Sequence, residues 1–520
     1  MNQFTNETQI IQTMKKTLYL LILPLLCSCY KDKSSTRYEP IGTITIENIE
    51  RSYDKITLVD TLKIMPVITS TDPLDNVAAF EYLWTYYNTA KTLVIDTIQN
   101  TKDLSWIIAL NTGSYVLTLR VSNPANGYTV YETTSLRVET DFSFGFYLLK
   151  ETAEGNTELD FHNPDKEVYV PNLLTARLGA PITGMPTSLG IVPTYPYINQ
   201  ENGQSETAKV LVPMGGKDLK VMRVNDMSLI YDYDKFFYSD TAPDEKPVRI
   251  FLRTATAGAI IKFITDKALY TITSTGQGGK AGFPVHAPEG SSFTGAVMSN
   301  ITSGNEMTLI FDEANGEMIY YAAASRVIPP TTVEPSPYEM NYHVRHMGYN
   351  GWSLFEEKTN PLIKWIYRVQ NNPLGVGSAP LVSEHLVNAV TAPNFNSAEF
   401  YSTYKTAAAE IPAIFYGCKG DKIYMYNVQG ETETVLSPEG MGSGETVTMI
   451  TDRMGIPTSL DSSTRVLIIA TYKEGNYKVY VYANPVEYQP YGPPVLVLEG
   501  TGKVVDVQHT GGSSAYTPVY

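Results

Sequence analysis

Apolar and polar positions alternate in short runs along almost the whole chain, and few runs are long enough to be anything but β-strands. Between Ile41 and Thr140 these runs are Ile44-Thr45-Ile46, Thr61 to Ile64, Tyr82 to Tyr86, Ser114 to Val121 and Thr129 to Val138. Period-two geometry puts Tyr115, Leu117, Leu119 and Val121 on one face, and Asn126-Gly127 supplies the hairpin turn that follows. Strands at this spacing over about 100 residues predict an immunoglobulin-like β-sandwich across 41–140.

From Asp141 onward one arrangement recurs: an apolar strand, a short polar turn, then a second strand rich in aromatic and aliphatic residues. Seven copies are readable. They are Phe146–Leu149 turning at Gly155, Val210–Val212 at Gly216, Ile260–Ile264 at Asp266, Thr308–Phe311 at Asn315, Trp352–Phe355 at Asn360, Ala413–Tyr416 at Gly420 and Val466–Ala470 at Gly475. Successive turns lie about 45 to 60 residues apart, the spacing of blade-type repeats. A lone hairpin cannot bury its two faces, whereas four-stranded blades packed around an axis can. Residues 141–520 therefore read as a β-propeller, with seven blades expected. Val495–Leu498 and Lys503–Val507 would complete the last blade, with a strand near Phe142–Phe146 closing the ring. A set of several sandwiches is the alternative, since no glycine-aspartate or tryptophan-aspartate signature recurs.

Composition narrows the class further. The 520 residues are 43% hydrophobic and carry a formal net charge of -15, which disfavours a phosphate backbone as partner. The 37 tyrosines, 32 prolines and 37 glycines suit strands joined by tight turns. No long amphipathic helix is evident.

The amino-terminal end fixes the compartment. Lys15-Lys16 precede an apolar run, Leu18 to Leu26, far below the roughly 18 residues that span a bilayer. Leu26-Cys27-Ser28-Cys29 ends it as a bacterial lipoprotein signal would, with the small Ser28 before Cys29; Leu26 fits poorly before Cys27. Residues 1–28 are thus read as an upstream extension, with the working start at Met14, plus a cleaved signal. Cys29 is the expected lipidation site, and 29–40 a polar tether. An ordinary secretory signal or an uncleaved anchor is the competing reading. More than one acyl chain at about 0.8 kcal/mol per buried CH₂ makes such an anchor effectively permanent. With Cys27 removed and Cys29 acylated, Cys418 is left alone, so no intrachain disulfide is expected in the mature chain.

The segment Gly113-Ser114-Tyr115-Val116-Leu117-Thr118-Leu119-Arg120-Val121-Ser122-Asn123 resembles the last hairpin of PKD-type domains, and Trp84 falls where such sandwiches place a core tryptophan. The family's Gly-Asp-Gly after the tryptophan strand is replaced here by Tyr86-Tyr87-Asn88-Thr89. Together with the lipid signal, Gly145-Phe146-Tyr147-Leu148-Leu149-Lys150-Glu151, Thr157–Phe161 and the late hairpin Leu467 to Tyr482, the chain resembles the PKD-like family lipoproteins of Bacteroidetes over nearly all of its mature length. Lys31 and Asp32, close to Cys29, are similar to the signal that sends Bacteroides-group lipoproteins to the outer face of the outer membrane. The resemblance implies an outer-membrane, cell-surface accessory beside a SusC/SusD-like TonB-dependent importer, binding oligopeptides or glycans or the importer itself. It implies no catalytic residue.

The residues themselves offer little chemistry. His343-Val344-Arg345-His346 lacks the glutamate of a zinc-protease helix and, between Pro337 and Gly348, reads as a loop. No Gly-x-Ser-x-Gly elbow occurs, and Cys418 sits inside a hairpin where a lone thiol is structural. Asp232, Asp234, Asp240, Asp244 and Glu245 could supply a glycosidase pair but read first as a solvated loop. The same stretch holds Tyr231, Tyr233, Phe236, Phe237 and Tyr238, aromatics beside carboxylates that could stack on a sugar or peptide. The expectation is a non-enzymatic recognition protein with neither metal nor cofactor. A propeller enzyme acting on glycans as hydrolase or lyase, and an adhesin or spacer, remain the alternatives.

Overall fold

Each strand pattern above leaves an apolar face that only another sheet can cover, and the fold is the solution to that requirement. The computed structural model describes residues 42–510 apart from 58–59, 74, 90–93, 201–202, 240, 254–259, 274–277, 283, 287–289, 299–306, 323–324, 328–339, 349–351, 370–380, 405–412 and 455–463. Cys29 and the tether lie outside the described residues. Two compact units result, one from the chain up to Tyr53, Thr61–Ile107 and Ser114–Arg137, the other from Asp54–Asp60, Ile108–Gly113 and the chain from Val138 on.

The first unit is the PKD-like β-sandwich. Its strands are β1 (Ile44–Glu47), β2 (Ser52–Ile56), β3 (Thr61–Ile64), β4 (Val67–Ser70), β5 (Glu81–Asn88), β6 (Asp96–Gln99), β7 (Leu104–Ile107), β8 (Gly113–Ser122) and β9 (Thr129–Glu139). They form a five-stranded sheet in the order β2-β9-β8-β5-β6 and the pairs β1–β4 and β3–β7. Tyr115, Leu117, Leu119 and Val121 are buried on one face of β8, and Trp84, opposite Leu119, is fully enclosed. Its indole nitrogen donates to the Lys102 carbonyl at 3.1 Å, which satisfies the one polar atom that this burial strands.

The second unit is a β-propeller. Among the described residues it holds seven four-stranded antiparallel sheets. Blade 1 contains β10 (Gly145–Glu151), β11 (Thr157–Asn163) and β12 (Val168–Val170); blade 2 runs β13 (Pro186–Ile198), β14 (Ser205–Gly215), β15 (Asp218–Arg223) and β16 (Leu229–Asp232). Blade 3 runs β17 (Pro247–Arg253), β18 (Ile260–Thr265), β19 (Ala268–Ile272) and β20 (Val285–His286). Blade 4 has β21 (Phe293–Met298), β22 (Met307–Asp312), β23 (Glu317–Ala322) and β24 (Ser325–Val327). Blade 5 has β25 (Tyr342–Met347), β26 (Trp352–Glu357), β27 (Lys364–Val369) and β28 (Leu381–Leu386). Blade 6 has β29 (Phe400–Thr403), β30 (Ile414–Lys419), β31 (Lys422–Asn427) and β32 (Thr432–Leu436). Blade 7 has β33 (Thr446–Met454), β34 (Arg465–Lys473), β35 (Asn476–Ala483) and β36 (Leu496–Thr501), and β37 (Lys503–Thr510) follows.

All seven hairpins readable in the sequence are the second and third strands of a blade, the positions that are flanked on both edges and so carry the densest apolar pattern. The first strands of successive blades touch in a circle, β13 to β17, β21, β25, β29, β33, β37 and back to β13. Closure differs from the sequence expectation. Blade 7 is already complete at β36, and Lys503–Thr510 crosses to blade 1 as its innermost strand, pairing antiparallel with β10 from Gly145↔Thr510 to Glu151↔Lys503. The exchange gives blade 1 strands from both ends of the unit, so backbone hydrogen bonds as well as packing hold the ring shut.

A bulge recurs where the inner strand begins. The register slips between Pro186 and Ser188, Pro247 and Arg249, Phe293 and Gly295, and Val447 and Met449. A residue added at this point increases local twist, which an inner strand needs as it turns away from the axis. Replacing Leu148, buried in β10 between β11 and β37, by Ala should cost about 2–5 kcal/mol in urea unfolding. The same truncation at the exposed Val435 of β32 should stay within about 0.5 kcal/mol.

Candidate functional site

Because every blade is an antiparallel meander, its second-to-third-strand hairpin and its link to the next blade emerge on the same face. At the seam between blades 7 and 1 that face opens into a cleft of about 610 Å³. The hairpin after β10, the hairpin after β34 and the Gly502 link from β36 to β37 surround it, and its lining includes Lys150, Glu151, Glu158, Tyr472, Thr501 and Lys503. Gly502 sits at φ +99, and a Cβ there would press on the Glu151 carbonyl at 2.8 Å, so the link can turn this tightly only with glycine.

The floor is a short helix, α1 (Leu173–Leu178), held by a neighbouring carboxylate. Asn172 gives no side-chain cap. Glu158 of β11 supplies one instead: its Oε1 accepts the Leu174 amide at 2.8 Å, and its Oε2 accepts the Thr175 amide at 3.2 Å and hydroxyl at 2.5 Å. A carboxylate on these first-turn amides is favoured by both hydrogen bonding and the helix dipole.

Beneath the rim lies a buried polar network. Lys150 Nζ and Asp160 Oδ1 are 2.6 Å apart with side chains 1% and 0% exposed. Asp160 also accepts the Asn172 amide at 2.8 Å and the hydroxyls of Tyr477 at 2.8 Å and Tyr169 at 3.1 Å. Its lone pairs are thereby filled, the condition under which a buried ion pair is tolerable. His162 Nε2 lies 2.8 Å from the Tyr477 oxygen and stacks on Tyr169 with centroids 4.3 Å apart. Since the Tyr477 proton goes to Asp160, the imidazole is the donor to Tyr477. Burial, reinforced by the Lys150 charge and opposed by Asp160, lowers His162 to about 4.

The aromatic stretch singled out in the sequence lies elsewhere and does not form an exposed platform. Tyr231, Tyr233, Phe236 and Phe237 are buried in one core with Phe263 and Tyr270 of blade 3, while Tyr238 is 49% exposed. The reason is local: Asp232 accepts the Lys235 amide and starts a single helical turn, α2 (Tyr233–Phe236), which turns the rings inward. Phe237 packs edge-on against Tyr270 at 5.1 Å and Phe236 against Phe263 at 5.1 Å. The hydroxyls of Tyr231 and Tyr233 are spent on the carbonyls of Gly278 and Glu245. The acids of that stretch are dispersed too. Glu245 is buried under Thr265 and Tyr270, Asp244 pairs with Lys217, and Asp240 lies outside the described residues.

His343 and His346 occupy strand β25, where a loop was expected, because Tyr342–Met347 completes the inner edge of blade 5. His343 pairs with Glu313 at 2.7 Å and His346 with the Thr403 hydroxyl at 3.1 Å. Among the described residues no group of three or more histidine, cysteine or acidic side chains is placed to hold a metal. Cys418 is fully buried, which pushes its thiol well above the ordinary value. Sequence reasoning missed the seam cleft, since its walls come from residues more than 300 positions apart; the one available sign was the run of Lys150-Glu151 and Glu158 flanking the first hairpin.

Residues 29–186 match the PKD-like family. The match begins at Cys29, spans the sandwich and ends at the first residue of blade 2, a shorter stretch than the sequence resemblance implies. Among solved structures, the chain is similar to a quinonprotein alcohol dehydrogenase-like protein from Bacteroides thetaiotaomicron, at 12% identity and TM-score 0.39, with 91% of this chain and 100% of that one covered. It is also similar to an auxiliary nutrient binding protein from the same organism, at 10% identity and TM-score 0.29, covering 82% and 95%. A third similarity is to the Nup133 β-propeller domain of Vanderwaltozyma polyspora, at 9% identity and TM-score 0.28, covering 61% and 90%. No curated protein matches.

Acid should weaken this seam. His162 is neutral in the folded chain down to about 4 but takes up a proton near its ordinary 6.5 once unfolded, so its contribution is complete above the unfolded value and is lost as pH falls toward 4. Between pH 7 and pH 5 the stability of the native chain should therefore fall by about 2 kcal/mol more than that of His162→Gln, measured by urea unfolding at both values.

Proposed function

We propose that this protein is a non-catalytic, lipid-anchored recognition protein of the outer-membrane surface, an accessory to a SusC/SusD-like TonB-dependent importer, and that it takes oligopeptide or glycan ligands in the seam cleft. The observation that carries the reading is the state of the cleft's charged groups. Glu158 is engaged by a helix N-terminus, Lys150 by Asp160, and Lys503 lies 3.8 Å from Glu151. With Lys150 and Glu158 buried and committed to holding the fold, what the cleft offers a ligand is the more exposed Lys503–Glu151 pair and the backbone of the rim, a surface for recognition. Tyr472 on the wall adds an aromatic face suited to stacking on a sugar ring or an apolar side chain.

The anchor supports the same reading. The family match starts at Cys29, the residue that the signal would leave as the mature terminus. A permanent tether suits a protein that holds a ligand near an importer. The glycan-enzyme alternative and the adhesin are separated from it by experiment.

Detergent-solubilised outer membranes should yield the protein together with a TonB-dependent transporter, and a free monomer throughout would sink the proposal. In calorimetric titrations with a panel of oligosaccharides and peptides, Tyr472→Ala should weaken whichever ligand binds by about three- to tenfold, in keeping with the loss of one aromatic contact. Turnover of any of them by the purified chain would favour the enzyme instead.

A further inference from the structure

The wall chemistry of the seam cleft narrows the class of ligand that fits it. Its volume of about 610 Å³ falls within the range of about 300–1,000 Å³ typical of small-ligand sites. Apart from the stems of its lysines, only Ala153, Pro181 and Tyr472 bring apolar or aromatic surface to the lining. The strands whose hairpins form the rim, β10 with β11 and β34 with β35, are each paired on both edges, so they present no open backbone ladder to a ligand. A peptide draws its affinity from side chains anchored in apolar pockets or from adding a strand, and this rim and lining supply little of either.

Polar groups open to solvent are what the cleft supplies. Glu154, Asn172 and Thr501 are exposed, and the Asn172 side chain is not used as a helix cap. Glu151 and Lys503 face each other in register across β10 and β37, with Oε2 and Nζ 3.8 Å apart and side chains 22% and 46% exposed. A charged hydrogen bond closes to about 2.7–2.9 Å, so this pair is left wide. A hydroxyl group is donor and acceptor at once, and one placed here donates to the carboxylate while it accepts from the ammonium. Tyr472 in the same wall adds the aromatic surface on which the C–H face of a sugar ring packs. The charge left over is negative. Lys150 is committed to Asp160, Glu158 to the α1 amides and Glu151 to Lys503, which leaves Glu154 as the unbalanced charge of the lining. A carboxylate or sulfate on the ligand meets that like charge and is disfavoured.

We propose, resting on the seam cleft as the recognition site, that its ligand is an oligosaccharide free of carboxylate and sulfate groups, one of whose hydroxyls bridges Glu151 and Lys503 while a ring packs on Tyr472. Glu151 and Lys503 then select for hydroxyls, and Glu154 turns acidic glycans away.

The mature protein is titrated by calorimetry with uncharged oligosaccharides of glucose, mannose and xylose, with oligogalacturonate and sulfated chondroitin oligosaccharides, and with a pool of short peptides. At least one uncharged oligosaccharide should bind, and the acidic ones should bind about fivefold more weakly or not at all. Glu151→Gln and Lys503→Met should each weaken the uncharged ligand about tenfold with Tm little changed, since an ion pair at a rim adds little to stability. Either variant serves if the other does not fold. Sugar binding undiminished in both folded variants would overturn the proposal. Peptide or acidic-glycan binding that Tyr472→Ala weakens, with every uncharged sugar silent, would overturn the ligand class and leave the cleft as the recognition site. Silence from all three classes would sink the recognition role itself and the ligand class with it.

Discussion

The propeller depends on one pairing, that of β10 with β37. Each blade buries two faces only if it has a neighbour on both sides, and bringing both ends of the unit into one blade fixes that neighbour for the first and last blades by hydrogen bonds as well as packing. The seven residue pairs from Gly145↔Thr510 to Glu151↔Lys503 do so. Phe146 and Leu148 on β10 pack with Val504 and Val507 of β37 and with Val466, Ile468, Val479 and Val481 of blade 7 in one core. Tyr147 and Leu149, on the other face of the same strand, join Leu189, Ile191 and Leu211 of blade 2. A single strand thus serves the cores on both sides of the seam. That is why β10 is buried along its whole length except at Glu151.

The seam also encloses polar groups deeply. Lys150 reaches Asp160 diagonally across the β10–β11 ladder, and Tyr477 reaches it from blade 7. Apolar contacts alone are tolerant of sliding, whereas a carboxylate with four fixed donors accepts one arrangement of blade 7 against blade 1. The cleft above this network inherits its shape from it, because Lys150 and Asn172 contribute to both.

A second polar device recurs between blades without any sequence signature. Glu245, just ahead of β17, accepts the Thr265 hydroxyl at 2.6 Å and the Tyr270 hydroxyl at 2.9 Å; Glu445, just ahead of β33, accepts Thr471 at 2.7 Å and Tyr480 at 2.8 Å. The register is the same in both, with Pro247 opposite Thr265 and Val447 opposite Thr471. Loops of different length separate the acid from its partners, so no fixed spacing advertises the repeat in the chain. In blade 4 the equivalent end-of-strand position is Asp312, which accepts amides from Ser292 and Asn315 instead.

Local pattern alone determined several strands of the sandwich, the seven hairpins and the face of β8 that carries Tyr115 to Val121, because period-two burial and turn residues act within a few positions of each other. The resemblance to PKD-type domains marked Trp84 as core, and it is fully enclosed. Local pattern misread Tyr231 to Phe237, because whether an aromatic next to carboxylates is exposed depends on what lies across from it, and here β18 and β19 of the next blade do. The destination of Lys503–Thr510 was equally out of reach, since both edges open to it look alike in sequence. The cleft and the Asp160 network each join residues that only the closure of the ring brings together, and the tertiary structure alone could decide them.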